Sequence, residues 1–214
     1  MTFYKDSEAA GYGQAIGAVL SFKSMITELE VKFLAYLESI NQTFNSTWNA
    51  EQVYGRNDDI ATFQGTKRSY NISWTVPAEN AEEAEINLKK CGSLVQLLYP
   101  QYNTDRQSIS QANAPKFISQ NALSISKPPL IRLKFANLIV NSQDNDLGLL
   151  GYITNLSWTP NIEAGMFAQN QNLFPKVITI SIDYNVLHEH QLGYSTEVAG
   201  KDFGGAIGFP FKGS

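Results

Sequence analysis

Two stretches of this chain alternate strictly between apolar and polar residues, and they limit the fold more than any other feature. Tyr70, Ile72, Trp74 and Val76 are separated by Asn71, Ser73 and Thr75; Ile178, Ile180, Ile182, Tyr184 and Val186 are separated by Thr179, Ser181, Asp183 and Asn185. Successive side chains of a strand point to opposite faces, so a period of two means a sheet with one buried face. The opposite face carries small hydroxyls and amides, which suit water, a lumen or a polar neighbour. No signal of comparable strength points to catalysis.

The 214 residues suffice for one substantial core or two small ones. Hydrophobic residues make up 43% and charged residues only 17%, with Asn, Gln, Ser and Thr filling the difference. Sparse charge fits a surface covered by partners, because interface centres are depleted in Lys and Glu; it equally fits a small polar β protein. A net charge of -4 and a pI near 5.2 argue against broad contact with a nucleic-acid backbone, which needs clustered cations. Lys67 and Arg68 form only a two-residue basic spot. The lone Cys91 excludes an internal disulfide and a cysteine-rich metal site. No apolar run reaches membrane-spanning length. The first residues, with Lys5 beside Asp6 and Glu8, lack the order of a signal peptide, so synthesis and assembly in the cytoplasm are expected.

Along the chain, residues 1–24 mix Gly11, Gly13 and Gly17 with small apolar residues and are expected to form an arm or loose lead-in. From Met25 to Ile40 helical and strand spacing both fit; the poor helix formers Thr43, Asn45, Ser46 and Thr47 that follow favour strand. Val53 to Phe63 reads as a turn-rich connection through Gly55, Asn57, Asp58 and Asp59. After Pro77 a helix is expected over 80–98. Asn80 caps it, Glu83 returns the bond, and Ala84, Leu88, Cys91, Leu94, Val95 and Leu98 form its apolar face, with Lys89 and Lys90 in its later part. Such a helix serves to cover an open end or face of the sheet. Residues 101–127 form a long polar connection, which in a compact domain marks a functional or partner-ordered segment. Strands are expected over 130–139, 148–158 and 176–187, with a turn at Asn141 to Asp146, an excursion at Asn161 to Asn172 and a glycine-rich extension over 194–214. The domain proper is therefore 25–193. Strands, one helix, a loop and more strands, without regular crossover helices, make a mainly β fold: an antiparallel barrel or sandwich with one flanking helix.

Candidates for chemistry are few. His188 and His190 flank Glu189 after the last strand, a pair that fits metal ligation, acid–base work, a polar strand end or a subunit contact, with no third ligand identifiable. Asp58 and Asp59, like Asp144 and Asp146, lack calcium-loop spacing and read as solvated turns. Cys91 belongs to the helix's apolar stripe, Gly-x-Ser-x-Gly and phosphate-loop patterns are absent, and the triplet at Asn45 has meaning only on a secretory route. Of the tryptophans, Trp74 alternates with core residues, whereas Trp48 lies in irregular surroundings and suits a contact at a subunit boundary. Catalytic, cofactor and metal residues are thus assigned to none. Trp48, Arg56, Lys67, Arg68, Tyr102, His188, Glu189 and His190 are the candidate interface residues.

Four blocks carry a resemblance: VYGRNDDIATFQGTKRSYNISWTVPAENAEEAEINLKKCGSLVQLLYPQY (53–102), PPLIRLKFANLI (128–139), GLLGYITNLSWTPNIEAGMF (148–167) and FPKVITISIDYNVLHEHQLG (174–193). They resemble structural proteins of contractile-tailed bacteriophages, in particular baseplate proteins at the junction of hub and tail tube, the tube initiators, whose core is similar to the tail-tube fold. The resemblance implies a tail-tube-like β-barrel with one flanking helix, and six copies in a homohexameric ring whose neighbouring strands complete an inner barrel. It further implies hub, wedge and tube proteins as partners, genome DNA passing without sequence-specific binding, no cofactor, no membrane, no enzymatic activity and a location in the virion tail. Residues 1–50 and the tail match it less distinctly. A carbohydrate- or receptor-binding tail module is the alternative reading, and a cell-wall hydrolase a third, which would need a convergent catalytic site.

Overall fold

The computed structural model describes residues 19–34, 36–102, 125–141, 144, 146–169, 171–190 and 192–194. In chain order the strands are β1 (Val19–Ser24), β2 (Glu30–Leu34), β3 (Tyr36–Glu51), β4 (Ile60–Pro77), β5 (Gln101–Tyr102), β6 (Ile125–Lys127), β7 (Ile131–Phe135), β8 (Leu149–Pro160), β9 (Met166–Gln169), β10 (Asn172–Pro175) and β11 (Val177–Val186). Among the described residues the single helix is α1 (Ala81–Gln96). The fold is mainly β, as the alternation predicts.

Seven strands form one antiparallel sheet in the order β2-β1-β7-β8-β11-β4-β3. Its terminal strands, β2 and β3, are separated by one residue of sequence. Two residues of chain span at most about 7 Å, so at that junction the two ends of the sheet must meet and the sheet is rolled. Inside the roll, Phe22 of β1 stacks on Trp74 of β4 at 5.8 Å, and Phe33 of β2 reaches the same indole at 5.7 Å. Leu20, Ile72, Ile131, Leu133, Ile178, Ile180 and Ile182 fill the rest, each at most 1% exposed. Each such side chain contributes about 1.5–3 kcal/mol on burial.

Three strands are tied together at Tyr184, whose hydroxyl lies 2.7 Å from the carbonyl oxygens of both Ile131 and Leu149. Beneath it β8 carries Gly151, where an added Cβ would stand 2.1 Å from the Asn185 carbonyl oxygen and 2.8 Å from the tyrosine ring. Only glycine permits that approach, and it sits beside the register shift at Asp183/Tyr184.

Helix α1 forms for the expected local reason: the Asn80 side chain accepts from the Glu83 N–H at 2.8 Å. Glu83 reaches back one residue further than a capping box requires, accepting from the Glu79 N–H at 2.8 Å. Ala84, Asn87, Cys91 and Leu94 form its buried face against β2, β9 and β10, and the Asn87 amide donates to the Pro77 carbonyl at 3.2 Å. Lys89 and Lys90 fall short of the last turn, which holds no basic residue.

Several expectations need correction. The lead-in assigned to 1–24 contains β1, an integral strand with Leu20 and Phe22 fully buried; residues 1–18 lie outside the described residues. The connection expected from Val53 to Phe63 is shorter, because β4 begins at Ile60. The long loop 101–127 is pinched at its ends, where β5 pairs with β6; residues 103–124 lie outside the described residues. The strand expected over 130–139 stops at Phe135 and turns back through a bridge to Ile139. The excursion 161–172 contains β9, which pairs with β10. Of the glycine-rich extension only Tyr194 is among the described residues.

Candidate functional site

Read across the sheet, the polar faces of β3, β4, β11 and β8 fall into rows of like chemistry. Register places Ser39, Ser73, Ser181 and Ser157 side by side; Asn41, Asn71, Asp183 and Asn155 form a second row; Tyr36, Thr75, Thr179 and Thr159 form a third. Neighbours on one face of a sheet interact, and here they are hydrogen-bonded. Asp183 accepts from the Asn71 amide at 2.7 Å on one oxygen and from the Asn155 amide at 3.2 Å on the other. Glu38, in the β3 register shift, accepts from the Ser73 hydroxyl at 3.1 Å and from Thr75. The face is therefore neutral or negative, and its rows hold no Lys or Arg.

Both margins of this four-stranded part are open. The β7–β8 pairing ends at Gly151, so beyond it the outer side of β8 has no strand partner among the described residues, and neither has the outer side of β3. Unpaired edges invite pairing with another chain.

The outer halves of β3 and β4 run past the body as a two-stranded arm, paired from Thr43↔Ser69 to Glu51↔Ile60. At about 3.4 Å per residue it projects roughly 30 Å. Nearly every residue of Thr43–Glu51 and Ile60–Lys67 is exposed on both faces. Yet the arm carries Phe44, Trp48, Ile60 and Phe63, with Val53 and Tyr54 at its turn, all exposed. Trp48 meets Phe63 edge-on at 5.1 Å. An isolated two-stranded ribbon is marginal in water, so this arm gains from a partner.

At the arm's root Arg68 points inward and is 3% exposed. Its guanidinium lies over Phe44 at 5.6 Å and Tyr70 at 5.1 Å and donates to the Tyr70 hydroxyl. With its amide oxygen turned inward, Gln42 accepts from Nε at 2.7 Å and from the terminal nitrogen at 3.0 Å. Burial lowers the Arg68 pKa, against the opposing effect of Tyr70, and raises that of Tyr70. The segment after β11 closes over this end. Glu189 accepts from Arg132 at 2.5 and 2.8 Å and from Asn141 at 3.3 Å. His188, Glu189 and His190 line a cleft with Arg68 and Asn141. Desolvation, then Arg68, then His190 push the His188 pKa below its ordinary value.

The candidate residues thus divide. Trp48 and Lys67 lie on the arm and Arg56 in its turn, all exposed; Arg68 and the His188–His190 segment lie at its root; Tyr102 is apart, exposed on β5. Lys67 and Arg68 take opposite faces, which breaks up the basic spot. Glu189 is engaged by Arg132, and no group of His, Cys, Asp or Glu able to hold a metal occurs among the described residues. Asp58 and Asp59 are exposed in the arm's turn. Cys91 is buried, which pushes its thiol up to about 11 and leaves it unreactive. Glu38, Asp183, Phe44 and Phe63 were not singled out by sequence reasoning. Asp183 was visible as one polar residue of an alternating strand, but its row exists only once strand register is known.

No protein-family model matches the chain, and no curated protein matches it. Among solved structures the chain is similar to one in the cryo-EM structure of the anti-feeding prophage (AFP) baseplate, 6-fold symmetrised, at 10% sequence identity and a TM-score of 0.30, covering 78% of this chain and 87% of that chain.

Proposed function

We propose that this chain is a structural component of a phage-type baseplate or tail tube: a ring subunit around the central channel that joins hub to tube and supports tube assembly. The observation that carries the reading is the four-stranded part β8-β11-β4-β3, polar on one face and, among the described residues, open at both margins. Because its strands alternate in direction and are even in number, the open side of β3 runs antiparallel to the open side of β8 on a neighbouring copy. Head-to-tail repetition of two different edges is heterologous and closes into a ring when the rotation permits. Such closure removes the edges and turns every polar face to one side. Six copies, the number implied by the resemblance of blocks 53–102, 128–139, 148–167 and 174–193 to baseplate proteins of the hub–tube junction, give ~24 strands, and at ~4.8 Å between strands the wall measures at least about 115 Å around.

In that ring the serine, threonine and asparagine rows line the lumen. Their carboxylates, Asp183 and Glu38, repel phosphate, so genome DNA passes without being gripped. Helix α1 packs on β2, β9 and β10, away from the rows, and the arm reaches along the axis. The role is assembly rather than catalysis, and no cofactor enters it.

Cross-linking mass spectrometry of intact tails tests the reading. Cross-links from Lys67 and Lys127 to tube and hub proteins, together with links between copies of this chain, are expected. Links confined to peripheral fibres, with glycan binding by the purified chain, would replace this reading with the receptor-binding one.

A further inference from the structure

Between its root and its tip the arm is not uniform. At the root, buried Arg68 of β4 is held by Tyr70 of its own strand and reaches across to Gln42 and Phe44 of β3. Further out, Trp48 packs on Phe63 across the two strands. Between these two fixed points the ladder is interrupted: the register shifts at Thr47/Trp48, opposite Gly65. Gly65 has φ +151°, a backbone that residues with a Cβ resist, and nothing lies within 4 Å of where a Cβ would stand. A bulge adds an unpaired residue and bends its strand. The arm thus has a packed root, an interrupted ladder and a packed outer pair in succession, and among the described residues nothing fills the space beside Gly65 where a Cβ would stand.

We infer that the arm is a lever that pivots at the Gly65 bulge, with Arg68 as its fixed end and the Trp48–Phe63 pair moving as one piece. The pivot follows from the geometry of this chain alone; its use, to let the arm swing onto a neighbouring copy as a ring forms, rests on the ring reading above. Before assembly the two open edges of the arm sample several directions, and docking selects one.

Distance measurements between spin labels separate the pivot from the ring reading, because they are made on the free chain. One pair joins Lys23→Cys on β1 to Asn49→Cys, beyond the bulge; the reference pair joins Lys23→Cys to Thr43→Cys, before it. Buried Cys91 stays unlabelled. The expected result is a narrow distribution for the reference pair and a clearly broader one for Asn49. Equal widths for the two pairs overturn the pivot. A third pair, Lys23→Cys with Ser46→Cys just before the shift, that is as broad as the Asn49 pair overturns it too, since bending would then be spread along the ribbon. If the pivot is present but assembled tails show no ring of this chain, the ring reading fails and the pivot stands.

Discussion

His188 shares its cleft with two other groups that carry or accept positive charge, Arg68 from β4 and His190 from its own segment, while Glu189 between them is turned to Arg132 of β7. Its pKa is lowered, chiefly by desolvation and then by Arg68 and His190. An unfolded chain binds that proton near pH ~6.5, before the folded one does. Stability attributable to this group is therefore complete above about pH 6.5 and is lost as pH falls through the lower folded value. Urea unfolding of the wild type should show a midpoint that declines on acidification across that window, with a shallower decline in His188→Gln; identical slopes would show that His188 is not the group responsible. Parity was the readable signal here. Arg68 has the same odd–even position as Tyr70, Ile72 and Trp74, so the alternation that identifies the core also turns Arg68 inward, whereas reading Lys67 and Arg68 as one basic spot treats neighbours on opposite faces as a pair. Trp74, with 0% exposure, and Trp48, with 57%, divide as their surroundings predict.

Elements with one buried face were legible, and elements without one were not. β4, β11 and α1 carry their period and their caps in the sequence, because burial on a single face leaves a pattern. β1 carries the same pattern in Leu20 and Phe22, but a strand of six residues beside a glycine-rich stretch offers too few periods to stand out. The arm has no buried face, so no period marks Asn45 to Glu51, and its aromatic side chains look scattered until strand pairing brings Trp48 to Phe63. The energetic consequence is specific. Trp48→Ser and Phe63→Ser together should move the unfolding free energy little, in the range of about 0.5 kcal/mol per exposed site. Trp74→Ala, inside the roll against Phe22 and Phe33, should cost about 3–5 kcal/mol. Incorporation into particles should respond the other way, with the arm double variant lost from assembled tails while its urea midpoint holds. Normal incorporation of that variant would remove the arm from the assembly surface.

The whole molecule has a closed side and an open side. On the closed side, β2 and β3 are joined through one residue and the sheet rolls around Phe22, Phe33 and Trp74. On the open side, the four strands β8, β11, β4 and β3 present like rows of Ser, Thr and Asn between two margins that have no strand partner among the described residues. The alternation foretold a polar face; which strands are neighbours, and therefore that the face is ordered into rows and ends in complementary edges, depends on long-range pairing that no local pattern encodes. In the proposed ring a second copy of the chain completes those edges. Cryo-electron microscopy of intact tails, at a resolution that separates strands, tests it most directly. Copies of this chain are expected around the central channel, with β3 of one about 4.8 Å from β8 of the next and Asp183 facing the lumen. Copies at the periphery of the tail, or a ring in which those two edges face solvent or a different protein, would contradict it.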